Sequence, residues 1–221
     1  MSAANGPQIG WRAREIEDEL PALRLLIVEL EVGRDQPVTG ASPPDIEARI
    51  RELSNRFRGA RAVAIRREPV PAAYRIFFRH IGLDPDVVRT PIEAAVLERM
   101  LRGGFLTGGM LDDVLLIALT DTGVPVWALD SESLDGPLGI RVSRDGERLG
   151  RSGDGAMLPA GRLVVADSSA AVAVLFGEAA SEHAPAAASR RLTMFAVQVA
   201  GVPTLYVEET LWSCCAALEA A

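Results

Sequence analysis

The sequence contains no lysine. Its 23 basic side chains are all arginine, set against 30 carboxylates and two histidines, for a formal charge of −7 and a pI near 5.0. Non-specific duplex binding lives on a general excess of cations, so DNA is not an expected partner; a local basic site stays open. Cysteine is nearly missing. Cys214 and Cys215 are neighbours in "WSCCAALEA", with no CxxC or Cys/His grouping. That excludes a disulfide framework or a zinc site and leaves two core residues of a helix. No apolar run approaches 18 residues, and no basic-then-apolar leader opens the chain, so a cytoplasmic protein without membrane contact is expected. The glycines of "GDG", "GGFLTGG" and "RGG" form neither GxGxxG nor GxxxxGK[ST], and nucleotide-phosphate cradles are unsupported. No metal or other cofactor is expected.

What is present is an ordinary globular balance, 48% hydrophobic and 24% charged, in 221 residues. The charge is uneven. Residues 1–103 hold 16 arginines and 15 acids, net +1, while residues 104–221 hold 7 and 15, net −8. Any contact with phosphates is therefore expected in the first half. "YRIFFRHIGLDPDVVRTPIEAAVLERMLRGG" alone carries five arginines and His80.

The periodicities give an order of elements. "LRLLIVELEV" reads as a buried strand. Pro43 and Pro44 precede a helix with Ile46, Ile50, Leu53 and Phe57 on one stripe. "ARAVAIRR" reads either as a short strand or as more of that helix. Tyr74, Phe77, Phe78 and Ile81 form one helical face, with Arg75 and Arg79 on a solvated opposite side and Gly82 ending the helix. Thr90, Pro91 and Glu93 form a capping box for a further helix that Gly103 stops. Beyond Gly104, "VLLIALT", "VPVWALD", "GIRVS", "RLVVAD", "AVAVLF" and "LTMFAVQVA" read as strands, and "RDGERLG" and "GDGAMLPAG" as hairpin turns. Residues 208–220 read as a closing helix with acids in its first turn. The expected fold class is α+β, a mixed β-sheet core with flanking helices in one domain over residues 1–221.

This order of elements, with "P-x-x-x-R-T-P" at residues 85–91, "R-x-x-x-G-G" at 99–104, "LGIRVSxxGE" at 138–147, "LVVAD" at 163–167 and "FGE" at 176–178, resembles a known family. It is similar to the B-three/B-four tRNA-binding domain of the phenylalanyl-tRNA synthetase beta chain, and more narrowly to free-standing bacterial versions, over about residues 11–206. The resemblance implies tRNA as partner, an amino acid such as phenylalanine or tyrosine as ligand, and hydrolysis of tyrosine wrongly joined to the phenylalanine tRNA. No synthetase catalytic core accompanies it.

Residue by residue, the resemblance carries over as follows. Gly177 and Glu178 fall nearest the family's Gly-Gly-Glu segment, which binds the tyrosine hydroxyl; here the segment is shortened and runs into Ala179 and Ala180. Asp167 matches a family aspartate and also suits a turn cap. Arg190 and Arg191 precede Thr193 as a basic pair precedes a threonine in the family, suited to phosphate or to a surface ion pair. Asp112 and Asp113 stand near a polar position of the family, but Ala118 and Thr120 follow where a further Asn is usual. His80 reads as a partly buried packing residue and, failing that, as one of two imidazoles able to act as a base. His183, in "SEHAPAAAS", reads as exposed. The catalytic residue stays unassigned. The alternative function is a small-ligand, amino-acid-binding module that has lost editing.

Overall fold

A computed structural model describes residues 6–33 and 37–220. The single-domain expectation over 1–221 extends past these residues at both ends. The fold is α+β, as the sequence predicts, with its strands divided between two four-stranded sheets.

In the first sheet, β3 (Arg24–Glu31) and β8 (Arg191–Gln198) pair antiparallel along their whole length, from Arg24 opposite Gln198 to Glu31 opposite Arg191. β1 (Gln8–Ile9) flanks β3, and β4 (Val126–Asp130) flanks β8. In β3 the buried pair Leu25–Leu26 gives way to an in-out alternation in which Glu29 and Glu31 face water. β8 is buried from Leu192 to Gln198, as a central strand covered on both faces must be. The second sheet runs β2 (Trp11–Arg12), β5 (Gly139–Val142), β6 (Leu163–Ala166), β7 (Ala171–Val174), with β2 parallel to β5 and the others antiparallel.

One residue carries the chain from sheet to sheet. Gly10 lies between β1 and β2, and a Cβ there would sit 2.6 Å from the Leu138 carbonyl oxygen. Gly139 is tighter, since its Cβ would stand 2.1 Å from the Trp11 ring and 2.3 Å from the Trp11 oxygen. Trp11 Nε1 donates to the Pro137 oxygen at 2.9 Å and closes the β2–β5 pairing.

The helices are α1 (Arg14–Glu19), α2 (Pro44–Arg56), α3 (Ala60–Ala64), α4 (Pro69–His80), α5 (Pro91–Arg102), α6 (Met110–Thr122) and α7 (Thr204–Ala220). The main core joins both sheets with α4, α6 and α7; a second cluster of Leu53, Phe57, Ala62, Ile65, Ile92 and Val96 knits α2, α3 and α5. No helix among the described residues is long and apolar enough to cross a membrane. Cys214 and Cys215 are buried in α7, and burial pushes the Cys215 thiol up to about 11.

Several expectations are corrected. "VLLIALT" is not a strand but the body of α6, which packs on α2, α5, α7 and β4; neighbours on so many sides leave no polar stripe to mark a helical period. Gly109 (φ 116°) and Gly123 (φ 77°) bracket it, and Asp113 fixes its start by accepting from Gly108 N (3.0 Å) and Ser42 Oγ (2.6 Å). "ARAVAIRR" is neither strand nor continuation: Gly59, at φ 54°, separates the short α3 from α2, and a 3-10 turn follows over Ile65–Arg67. α7 starts at Thr204, so its acids lie beyond the first turn.

Arg75 is not on a solvated face. It is 7% exposed and donates to Glu93 Oε1 at 2.5 Å and Asp86 Oδ1 at 2.8 Å. The Thr90 hydroxyl bonds the other oxygen of Glu93 (2.8 Å) instead of a backbone N–H, so the capping box is drawn into this ion pair. Arg99 donates to the Ser54 oxygen in the last turn of α2 at 3.0 and 2.7 Å, where a cation suits the helix C-terminus. Arg75 and Arg99 therefore tie helix to helix.

The tight β2–β5 pairing can be tested directly. Gly139→Ala places a methyl group against the Trp11 backbone, and denaturant unfolding is expected to show a loss of at least about 2 kcal/mol. An unchanged midpoint would contradict the close approach.

Candidate functional site

The ends of β4 and β8 gather most of the expected site residues. Trp127 on β4 lies opposite Phe195 on β8, their rings 5.5 Å apart and 10° from parallel. Its Nε1 donates to the Gly177 oxygen at 3.1 Å, which ties the first sheet to the turn after β7. In that turn Phe176 holds φ 60°, a left-handed conformation that a bulky residue adopts only when its surroundings impose it. The surroundings are aromatic: its ring centroid lies 5.3–6.0 Å from those of Tyr74, Phe77, Phe78 and Trp127. Tyr74 is itself pinned by its hydroxyl, which donates to the Val197 oxygen at 2.8 Å. Gly177 N bonds Val174 O, and Val174 N bonds Glu178 O, each at 2.9 Å. Glu178 thus stands on the outside of a tight turn with its carboxylate exposed.

Beside this turn lies a polar network. Thr193 Oγ1 is 2.8 Å from Ser131 Oγ. Asp130, which ends β4, accepts from Glu132 N at 3.0 Å and Ser189 Oγ at 2.5 Å. The Ser133 hydroxyl donates to the Asp130 carbonyl at 2.7 Å and lies 2.8 Å from His183 Nδ1. A serine hydroxyl has one proton, so Nδ1 is the donor to Ser133 and Nε2 carries the bare lone pair. That Nε2 is buried, has no hydrogen-bond partner among the described residues, and lies 3.4 Å from Glu182 Oε1. Burial is the main reason that the imidazole's pKa is lowered, opposed by Glu182 and assisted by Arg151.

Two carboxylates organise the loops around it. Glu182 accepts from Arg151 N (2.5 Å) and Ser152 N (2.9 Å), and those bonds hold it below the usual range. Asp167 is buried, which by itself would raise its pKa, yet N–H groups of Asp135, Ala170 and Ser169, each at 2.9 Å, hold it low. The turn-capping reading of Asp167 is the one seen. Arg151 bridges the two loops, donating to Asp167 Oδ2 (3.2 Å), Ser169 Oγ (2.7 Å) and the Ser133 oxygen.

Asp167, Gly177, Glu178 and Thr193 are therefore brought to one region; His80, Arg190 and Arg191 are not part of its network. His80 is exposed at the end of α4, in contrast to the partly buried packing role expected, because the helix turns its aromatic face inward and leaves position 80 outside. Arg190 is exposed and bonds the Ala187 and Ser189 oxygens; Arg191 is exposed and 3.6 Å from Glu29. His183 reverses its expectation too: it is 0% exposed, held by the 3-10 turn Ser181–His183 under the Ser133 turn. Trp127, Ser131, Ser133 and Arg151 escaped the sequence reading. "DSES" after a strand is a turn signature that could have flagged the serines. Among the described residues no group of three or more His, Cys, Asp or Glu could hold a metal ion.

No protein-family model matches the chain. Curated proteins do match it locally. The phenylalanine–tRNA ligase beta subunit of Xanthomonas axonopodis pv. citri (strain 306) is 36% identical over 94 residues, 42% of this chain and 12% of that subunit. Those of Xanthomonas euvesicatoria pv. vesicatoria (strain 85-10) and Xylella fastidiosa (strain Temecula1) are each 36% identical, over 40% and 39% of this chain and 10% of the subunit. About two-fifths of this chain is phenylalanine–tRNA ligase beta-like. The matched stretch spans about a tenth of the length of these relatives.

The buried imidazole predicts a pH dependence. A histidine whose folded pKa is lowered binds its proton in the unfolded state first, so stability present above about pH 6.5 is lost as pH falls toward the folded value. Glu182 and Asp167 are also lowered and act only at more acidic pH. Unfolding free energy measured from pH 7 to 5 is expected to fall with a slope of up to about 1.4 kcal/mol per pH unit. In His183→Gln that slope should be absent; an identical slope in the variant would show that His183 is not its source.

Proposed function

We propose that this chain is a tRNA-synthetase-related module that binds tRNA through its aminoacylated end and acts in trans. The observation that carries the reading is the local likeness to phenylalanine–tRNA ligase beta subunits, at 36% identity over 42% of the chain. The gathering of Gly177, Glu178, Asp167 and Thr193 at the ends of β4 and β8 supports it. Trp127 offers a half-buried aromatic face beside an exposed carboxylate, a pairing that suits the side chain and the ammonium of an esterified amino acid such as phenylalanine or tyrosine.

Ester hydrolysis needs a positioned water or a base. His183 is buried with its lone pair toward Glu182, and the proton of Ser133 is committed to the Asp130 carbonyl. Glu178, exposed on its turn, is the group left in this region to orient a water. A second reading, an amino-acid-binding module that no longer edits, is favoured by Phe176, whose own ring fills the aromatic nest of Tyr74, Phe77, Phe78 and Trp127.

Equilibrium binding to phenylalanyl-tRNA, tyrosyl-tRNA of the phenylalanine acceptor, and uncharged tRNA separates these readings. Aminoacylated species are expected to bind about five- to tenfold more tightly than uncharged tRNA, a difference of about 1–1.4 kcal/mol that Glu178→Gln and Thr193→Val reduce. Equal affinity for charged and uncharged tRNA would sink recognition of the aminoacylated end. Deacylation that stays flat at high protein would remove hydrolysis and leave the second reading.

A further inference from the structure

Away from the ends of β4 and β8, a cleft of about 610 Å³ opens between α1, the C-terminal end of α4 and the strand ends of the second sheet. That volume lies within the range of small-molecule sites, about 300–1,000 Å³. Its floor is aliphatic: Ile16, Leu163 and Leu175 are buried, and Ile81 and Val142 are half-buried. Four ionisable side chains stand around this floor: Glu15 and Glu19 from α1, His80 from α4 and Arg162 from the loop before β6.

The charged groups are all left over. Among the described residues, none of these four side chains takes part in an ion pair or a side-chain hydrogen bond, although neighbours on α1 do: Glu17 faces Arg12 at 3.7 Å and Asp18 faces Arg14 at 3.9 Å. Glu15 and Glu19 are four residues apart on a helix of six, so they share a face and repel each other. Arg162 is the sharper case. Its backbone is fixed, with N–H on Ser143 Oγ at 2.9 Å and C=O accepting from Ser143 N at 2.7 Å, yet the guanidinium of this half-buried residue has no partner among the described residues. Arg56, Arg75, Arg99 and Arg141, all shielded from solvent, are each bonded.

We propose that this cleft binds a small amphipathic zwitterion, a molecule with an apolar body and a head carrying both an ammonium and a carboxylate. The body lies on the aliphatic floor, the ammonium relieves the repulsion between Glu15 and Glu19, and the carboxylate takes the paired N–H groups of Arg162. A bare amine would leave Arg162 unpaired, and a bare acid would meet two carboxylates of its own sign. The inference goes beyond the function proposed above and does not rest on it.

Calorimetric titration of the full chain with two matched series tests this. One is leucine, isopentylamine and isovalerate; the other is phenylalanine, phenethylamine and hydrocinnamate. In at least one series the zwitterion is expected to bind at least about tenfold more tightly than either singly charged analogue. Arg162→Met, which keeps the apolar stem, and the double variant Glu15→Gln/Glu19→Gln should each erase that preference. Among the described residues none of these side chains bonds elsewhere in the fold, so both variants are expected to keep the native melting curve. The proposal is overturned if neither zwitterion binds at millimolar concentration, if a singly charged analogue binds as well, or if both variants bind like the parent.

Discussion

The eight-residue antiparallel ladder between β3 and β8 joins the two ends of the sequence, and the other elements are placed by it. β4 finds its edge only against β8, and with it Trp127 and the Asp130–Ser133 turn reach the Gly177 turn and His183. α7 packs on both strands of the ladder. Each residue of β8 from Leu192 to Gln198 is buried, so a one-residue slip would exchange its two covered faces and misplace Thr193 opposite Ser131. The candidate site is a consequence of this register.

Around the ladder's end, order comes from polar groups satisfied by backbone. Asp167 and Glu182 each collect backbone N–H groups, and Arg151 spans the loops that these two carboxylates fix. The bare Nε2 of His183 and the left-handed Phe176 depart from this economy. Phe176 packs on Trp127 of β4 and His183 lies under the Ser133 turn that follows the strand, and strain and unsatisfied groups are expected to mark function.

Local pattern made much of the fold legible. The apolar run of β3, the aromatic stripe of α4, the Thr90–Pro91 start of α5 and the strands β4 to β8 all follow from spacing and turn residues. α6 did not, because a helix covered by four neighbours is apolar around most of its circumference and reads like a buried strand. The two histidines exchanged places for a related reason. Burial of an isolated polar residue depends on what folds over it, and the Ser133 turn that covers His183 lies 50 residues away. Asp167 was legible as a turn cap since two of its N–H partners, Ser169 and Ala170, are local, whereas its bond from Asp135, the Arg151 bridge and the Trp127–Gly177 bond are long-range and left no mark on the pattern. Arg75, expected on a solvated helix face, and Arg99 are instead fasteners between helices.

The proposal that this chain is a tRNA-synthetase-related module that binds tRNA is tested most directly by the salt dependence of tRNA affinity for the purified chain. An acidic protein with a few available arginines should touch few phosphates, so binding is expected at low salt, with log K falling linearly with log salt at a slope of about −2 to −3. No binding at the lowest salt, or an affinity indifferent to salt, would contradict it.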